Sequence, residues 1–376
     1  MSLAEREPHE AEREPRKKDW VRIAFFILTP VIGTVGTAAY TWATGIRWWE
    51  PVLFLVLYGL VGVSVTAGYH RLFAHRSYEC HPAVQAFYLF FGAMALQNSI
   101  LAWGSDHRIH HRYVDKDWDP YNIQRGGLWA HILWIFYKGK PDRTFDDVPD
   151  LQHNRLVQWQ HRYSSWIGIV GGLGLPTLIG WAMGSALGGL LWGGFLRIVV
   201  VHHSTFFVNS IAHLYGTRPY TEANSARDNP WVALLTNGEG YHNFHHRFPA
   251  DFRNGIRWYQ WDPSKWWIRG LRAARLARGL RQTPAIVIER ARLQTAVGHA
   301  ESRLATTPSH LQEAIRQRLD GAHRSLESAA RFWAELQEKS RRDWKEYRQH
   351  LAEARRRRRE ALRILSGRLD PQACGE

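Results

Sequence analysis

The chain has 376 residues, is 45% hydrophobic, and carries a net charge of +15 with a negative mean hydropathy of −0.37. Apolar and strongly polar stretches must therefore be segregated along it, and the basic balance leaves two partner classes, nucleic acid or an anionic membrane surface. The two cysteines, Cys80 and Cys374, match no disulfide or metal spacing. In chain order, residues 1–21 read as a basic tail without apolar periodicity. They are not a signal peptide, because the apolar run that follows is too long and has no clean cleavage site. Four segments are long and apolar enough to cross about 30 Å of hydrocarbon: Ile23–Trp42, Pro51–Tyr69, Trp166–Met183 and Leu187–Ser210. A fifth run, Ala86–Trp103, carries Gln97 and Asn98 and is expected to be buried or interfacial. The loops at 45–50 and 184–186 are short and nearly free of positive charge. The N-terminal tail, residues 70–165 and everything after 213 are rich in Lys and Arg, which predicts that those three regions are cytoplasmic, both termini included.

Histidine, with 20 copies, carries the chemistry. His70 and His75 sit in HRLFAH at the end of the second span. His107, His110 and His111 sit in DHRIHH, and His242, His245 and His246 in YHNFHH. His213 follows Asn209 by four residues in NSIAH, where the fourth span ends. On an α-helix, HxxHH projects three imidazoles in one direction. HxxxxH does not share a face, since five residues rotate by about 140° net, so His70 is expected to end its helix and His75 to return from a turn. Nine imidazoles and one amide are too many for one ion and suit two. Imidazole accepts iron, zinc, copper or nickel. A redox pair beside an apolar compartment implies O2 chemistry on an apolar substrate, and zinc would enter only by mis-metallation. The remaining candidates, His81, His131, His153, His161, His202 and His203, lack the pattern and are read as non-ligands.

At these residues the sequence resembles the membrane acyl-CoA (stearoyl-CoA, delta-9) desaturases. GYHRLFAH, WGSDHRIHHRYVDKDWDPYN, VNSIAHLYGTRPY and GEGYHNFHHRFPADFRNGIRW match that family's pattern, and the resemblance covers about residues 20–270. It implies an all-α integral membrane fold: four transmembrane helices under a cytoplasmic helical cap, with a histidine-rich di-metal site at their junction. Residues 22–284 would form that domain. The resemblance implies His70, His75, His107, His110, His111, His213, His242, His245 and His246 as ligands of two Fe ions, with Asn209 bound through a water. No separate acid or base is assigned, because the di-iron centre itself would be the catalyst. It further implies an acyl tunnel at Trp103, Trp134, Thr205, Phe206 and Tyr58, the last near the closed end. Gln97 and Asn98 would hold the thioester end, and Asp106 and Lys138 complete the substrate contacts. The implied reaction forms a cis double bond in a long-chain fatty acyl thioester, most simply acyl-CoA. O2 is co-substrate and electrons come from a separate donor protein, since no haem, flavin or ferredoxin signature is present. This sequence departs from the pattern at Ser105, Tyr137 and Phe206, and at His153-Asn154-Arg155, where the family has Asp-Pro.

Two rivals remain at this stage: a hydroxylase or alkane monooxygenase on a similar site, and a membrane metal-binding or transport protein. Transport would need ligands near the midplane rather than at one end. Residues 285–376 lie outside the resemblance. Ile315, Leu319, Ala322, Leu326, Ala329, Trp333 and Leu336 form a heptad seam that predicts, over residues 309–365, a long helix or helix pair suited to a coiled coil, which self-associates or docks on a partner and is dispensable for chemistry. Nucleic-acid binding is not expected, because the aromatic residues there fall partly on the seam and not on a basic face. The run Arg355–Arg359 is most simply a solvated face, and attraction to anionic membrane lipid is the sharper option.

Overall fold

The computed structural model describes residues 17–137 and 144–304 continuously and scattered helical positions between 313 and 359. Four helices are long and apolar enough to span a membrane: α1 (Trp20–Thr44), α2 (Trp49–Ala74), and, after two cap helices, α5 (Arg155–Ala182) and α6 (Ala186–Leu214). The cap helices α3 (Pro82–Ala93) and α4 (Ile100–Tyr113) lie between α2 and α5. After α6 come α7 (Pro230–Leu235), α8 (His242–Arg247) and α9 (Pro263–Ala273). The protein is thus an all-α integral membrane protein. Its spans run past the apolar segments at the histidine-bearing end, where α2 continues to Ala74, α5 begins at Arg155 and α6 reaches Leu214.

Local chemistry sets the boundaries. Asp19 caps α1 through the Arg22 amide at 3.2 Å, and Ser99 caps α4 through Ala102 at 3.3 Å. Asn154, one of the residues that depart from the family pattern, caps α5 by accepting from the Leu156 and Val157 amides at 3.0 and 3.3 Å. Each long span contains a wider π-helical stretch, at Val31–Gly36, Ser64–Ala74, Val170–Gly174 and Gly189–Leu196. Arg197, fully buried in α6, serves carbonyls in two of these stretches. Its guanidinium donates to Gly193 O (3.1 Å) and Gly172 O (2.8 Å), and also to Met94 O (2.6 Å) beyond the end of α3. Spans α5 and α6 cross where a Cβ on Gly180 would stand 2.6 Å from Gly189 Cα, so only small residues permit the approach.

The cap has a conventional core. Tyr69, Tyr88, Leu89, Ile100, Leu101, Val157, Phe252 and Ile268 form one buried cluster, drawn from α2, α3, α4, α5, α9 and the loop before α9. Burying each such side chain is worth roughly 1.5–3 kcal/mol. A two-stranded ribbon, β1 (Glu79–Cys80) with β2 (Ala277–Arg278), closes it in antiparallel register, Glu79 opposite Arg278. Residues to Gln282, apart from 218–223, form one compact unit. Residues 218–223 with 283 onward form another, whose continuous helix is α10 (Ala285–Leu304). Within that second unit Ile286, Ile288, Ala291, Leu293 and Leu351 are buried, and Glu289 meets Arg292 and Arg355 at 3.4 and 3.0 Å. The seam residues Ile315 to Leu336 lie outside the described residues.

Candidate metal centre

Nine histidines come together in two groups. One contains His70, His75, His107, His111 and His245, the other His110, His213, His242 and His246, and the ligand nitrogens within each group lie within 4.8 Å of one another. Among the described residues, neither group includes a carboxylate or a cysteine.

The helices build this division in a way the sequence spacing does not announce. The three imidazoles of each HxxHH do not point one way. In α4, His107 and His111 enter the first group and His110 the second. In α8 the roles reverse, with His242 and His246 in the second group and His245 in the first. The i,i+4 pair of each helix serves one group, and the third histidine, about 100° round the axis, serves the other. His70 does not end its helix. The π-helical winding of Ser64–Ala74 bonds His75 N to His70 O at 3.0 Å, five residues back. Residues five apart then stack, and the two rings sit with centroids 4.7 Å apart. Wide winding puts HxxxxH on one face where α-helical geometry would not. On α6 the helix turns at Ser210, placing His213 in the second group while Asn209 lines the adjoining cavity.

The geometry within the groups fits metal. His245 Nε2 lies 2.9 Å from both His70 Nε2 and His111 Nε2, and His75 Nε2 lies 2.7 Å from His107 Nε2. In the second group Nε2 separations run 3.0 Å (His242–His246), 3.1 Å (His213–His242) and 3.2 Å (His110–His246). Adjacent corners of a coordination sphere with metal–nitrogen distances of about 2.1 Å are separated by about 3.0 Å, which these spacings match. The outer nitrogens explain why Nε2 is bare. His110 Nδ1 donates to Asp119 at 2.9 Å, His213 Nδ1 to Ser225 Oγ at 2.7 Å, and His70 Nδ1 lies 2.7 Å from Glu239. A neutral imidazole whose hydrogen is held at Nδ1 turns a lone pair inward, and lone pairs that converge cannot hydrogen-bond to each other. Burial, reinforced by neighbouring imidazoles, holds His75, His107, His111, His242, His245 and His246 well below the ordinary histidine range.

A second tier of ionic contacts fixes the frame. Glu239 also accepts from Arg71 at 2.9 Å and from Asn254 at 2.7 Å, and Arg71 in turn contacts Asp262 at 3.0 Å. Burial would raise the Glu239 carboxyl, but its neighbours His70 and Arg71, both hydrogen-bonded to it, hold it below its ordinary value. Arg108, inside the first HxxHH, donates to Phe73 O and Ala74 O at 3.0 and 2.9 Å and grips Asp150 at 2.6 and 2.8 Å. It thereby ties the helix of His107 to the residue before His75. Asp119 and Glu239 stand inside the quoted motifs, DWDPYN and GEGYHNFHH, and were legible there as carboxylates in need of partners. Asp115 stands in the same stretch as Asp119, whereas Ser225 has no such signal.

Beside the groups lies a cavity of 460 Å³ lined by Trp103, Trp134, Thr205, Phe206, Tyr58, Gln97, Asn98 and Asp106, together with His70, His107, His110 and His242. All of the expected substrate contacts meet there except Lys138, which lies outside the described residues. Gln97 Nε2 donates to Thr205 Oγ1 at 2.9 Å, and the Tyr58 hydroxyl bonds Leu235 O and Ser204. Ser105 donates to Asp147 at 2.9 Å rather than lining the cavity. The six histidines read as non-ligands have other partners: His131 meets His203 at 3.0 Å, His161 meets Ser99 at 2.6 Å, His202 donates to Ala95 O at 2.7 Å, His81 accepts from Ala83 N at 3.2 Å, and His153 donates to Pro149 O at 2.5 Å.

Paired histidine groups at one end of four membrane-length helices, beside an apolar cavity, describe a membrane protein whose site could hold metal. The chain belongs to the fatty acid desaturase family, whose profile matches residues 46–281. It is 42% identical over 245 residues to acyl-CoA desaturase 1 of Saccharomyces cerevisiae, covering 64% of this chain and 48% of that one. It is 35% identical over 271 residues to the sn-2 palmitoyl-lipid 9-desaturase of Nostoc sp., covering 70% and 91%. It is 36% identical over 261 residues to stearoyl-CoA desaturase 5 of Bos taurus, covering 67% and 76%. The chain spans about half the length of the two yeast relatives it matches.

Proposed function

We propose that the protein is an O2-dependent fatty acyl desaturase that places a cis double bond, at the delta-9 position, in a saturated acyl thioester. The observation that carries this reading is the shared wall: His70, His107, His110 and His242 belong both to the nitrogen groups and to the lining of an apolar cavity. The nine histidines, with Asn209 through a water, would hold two iron ions, which supply the O2 activation needed to break unactivated C–H bonds. The net reaction removes two hydrogens from adjacent methylenes and consumes O2, two electrons and two protons to give two waters. The protein's own work is positional. Trp103, Trp134 and Phe206 give the chain an apolar bed and exclude water, and Gln97 and Asn98 offer amides to the thioester end. Acyl-CoA is the proposed substrate and a separate protein the electron donor. The placement is integral to the membrane with both termini cytoplasmic, supported by the charge asymmetry of the loops.

The test is expression with iron in a host lacking acyl desaturation, followed by fatty-acid profiling by chain length and double-bond position. New cis-9 monounsaturated acids support the reading. Hydroxylated acids, or no new product with acyl-CoA, acyl-lipid and reductant all supplied, would overturn it.

A further inference from the structure

Each of the three histidine boxes ends in the same dipeptide: His75-Arg76, His111-Arg112 and His246-Arg247. Those three histidines are also the ones that reach the surface. His75, His111 and His246 are partly exposed, whereas the other six, at 8% exposure or less, are buried. The exposed rings adjoin one another. The His111 ring lies 4.5 Å from that of His75 and stacks at 4.3 Å on that of His246. One patch of imidazole therefore joins both groups, His75 and His111 from the first and His246 from the second. None of the three lines the apolar cavity, whose wall takes His70, His107, His110 and His242 instead. The centre thus has an inner face on the cavity and an outer face on water. Arg76, Arg112 and Arg247 are all exposed, and each leaves the backbone one residue from an outer-face histidine, about 3.8 Å along the chain. Asp150 comes no closer to Arg76 than 3.9 Å and is already held by Arg108 at 2.6 and 2.8 Å. All of these residues belong to one compact unit. Guanidinium keeps its charge at any physiological pH, and a cationic rim speeds the association of an acidic partner by about 10- to 1000-fold.

We propose that this outer face is the docking site of the electron donor, an acidic one-electron carrier protein whose carboxylates meet Arg76, Arg112 and Arg247 while its redox group faces His75, His111 and His246. The inference rests on the desaturase reading and names the chemistry of the partner which that reading requires. Each encounter passes one electron inward and leaves the carrier oxidised by one. Two encounters supply the two electrons that, with two protons and the two hydrogens taken from the chain, reduce one O2 to two waters. The arginines do nothing for an apolar chain, which meets the opposite face. Substrate and reductant therefore use separate faces, and neither has to leave before the other binds.

The experiment uses the full chain, iron-loaded, in nanodiscs of zwitterionic phosphatidylcholine without O2. Two donors are compared: reduced ferredoxin, an acidic protein, and reduced methyl viologen, a small cation. The readouts are the second-order rate of donor oxidation against ionic strength, iron per chain, and binding of ferredoxin to metal-free protein. With wild type the ferredoxin rate should fall steeply as salt rises. Arg112→Glu with Arg247→Glu should lower that rate at least about 10-fold, flatten its salt dependence and weaken ferredoxin binding. Iron content should hold, and the viologen rate should hold or rise. Arg112→Lys with Arg247→Lys, which keeps both cations, should stay close to wild type, as should Arg278→Glu, a charge reversal on the distant β2 strand. Arg112→Gln with Arg247→Gln carries the same readout if the double reversal fails to fold. A double reversal with the wild-type ferredoxin rate, salt dependence and binding would refute the docking face, as would a wild type that viologen reduces and ferredoxin neither binds nor reduces. A raised KM for acyl-CoA with an unchanged ferredoxin rate would assign the arginines to the substrate instead and overturn the proposal. Protein that takes up no iron or makes no unsaturated product would overturn the desaturase reading, and ferredoxin binding to the metal-free chain would still decide the surface.

Discussion

Replacing Glu239 with glutamine tests the tautomer argument with a change of one atom. Glu239 uses both oxygens: Oε1 accepts from Arg71 Nε and Nη2 at 3.2 and 2.9 Å, and Oε2 meets His70 Nδ1 and Asn254 Nδ2, both at 2.7 Å. An amide cannot satisfy both sides. With its NH2 toward His70, the imidazole must turn to its other tautomer, which directs an N–H into the first group at the point where His245 Nε2 lies 2.9 Å away. With its NH2 toward Arg71, two buried donors face a donor, and an unpaired buried group costs about 1–3 kcal/mol. Arg71 keeps Asp262, so the full 3–5 kcal/mol of a broken buried ion pair is not expected. Glu239→Gln should therefore lower metal affinity by about 10- to 100-fold, the cost of a lost outer partner. The cooperative melting transition should survive. The assay is refilling of metal-stripped protein in detergent, followed by metal titration. Wild-type affinity in a folded variant would refute the claim that Glu239 fixes the His70 tautomer.

Four further outcomes are expected. His107→Ala, His111→Ala or His245→Ala should abolish product formation while membrane insertion persists, because insertion depends on the apolar spans; normal product from any one would remove that residue from the ligand set. Tyr58→Ala should admit longer acyl chains, since it deletes a ring from the cavity wall and the hydroxyl bonded to Leu235 O; an unchanged chain-length profile in folded protein would show that Tyr58 does not limit the chain. Gly92→Ala should destabilise the cap by about 1–3 kcal/mol, the usual cost of overpacking, because the added carbon would stand 2.3 Å from the buried Tyr69 ring; a wild-type melting temperature would refute it. Asp150→Ala should lower activity by loosening Arg108, which it grips at 2.6 and 2.8 Å, and Arg108's hold on Ala74; the check is turnover with membrane level held constant.

The histidines themselves were legible because three spaced boxes at matched positions along apolar spans leave little else for them to do. Their partition was not. Spacing places His107, His110 and His111 on one helix side, but only the position of α8 opposite α4 decides that His110 joins the second group. HxxxxH misled because the reading assumed α-helical winding, and no sequence signal at Ser64–Ala74 announces i→i+5 bonding. Tyr58, Trp103 and Phe206 came from resemblance rather than physics, since a cavity wall is made by packing between distant segments. Asn154 looked like an unexplained departure and is a helix cap, which was readable from its place before α5. Ser225 was invisible, because its role exists only once the 217–228 hairpin folds back to His213.

Arg197 bears on how the protein is made. It lies near the middle of a 29-residue span, where translocon-type measurements put an isolated arginine at about 2.5–3.5 kcal/mol against insertion. Two of its carbonyl partners, Met94 and Gly172, belong to earlier parts of the chain. During synthesis both have already been made when α6 emerges. Insertion of the fourth span is therefore expected to depend on these earlier partners rather than on its own hydropathy.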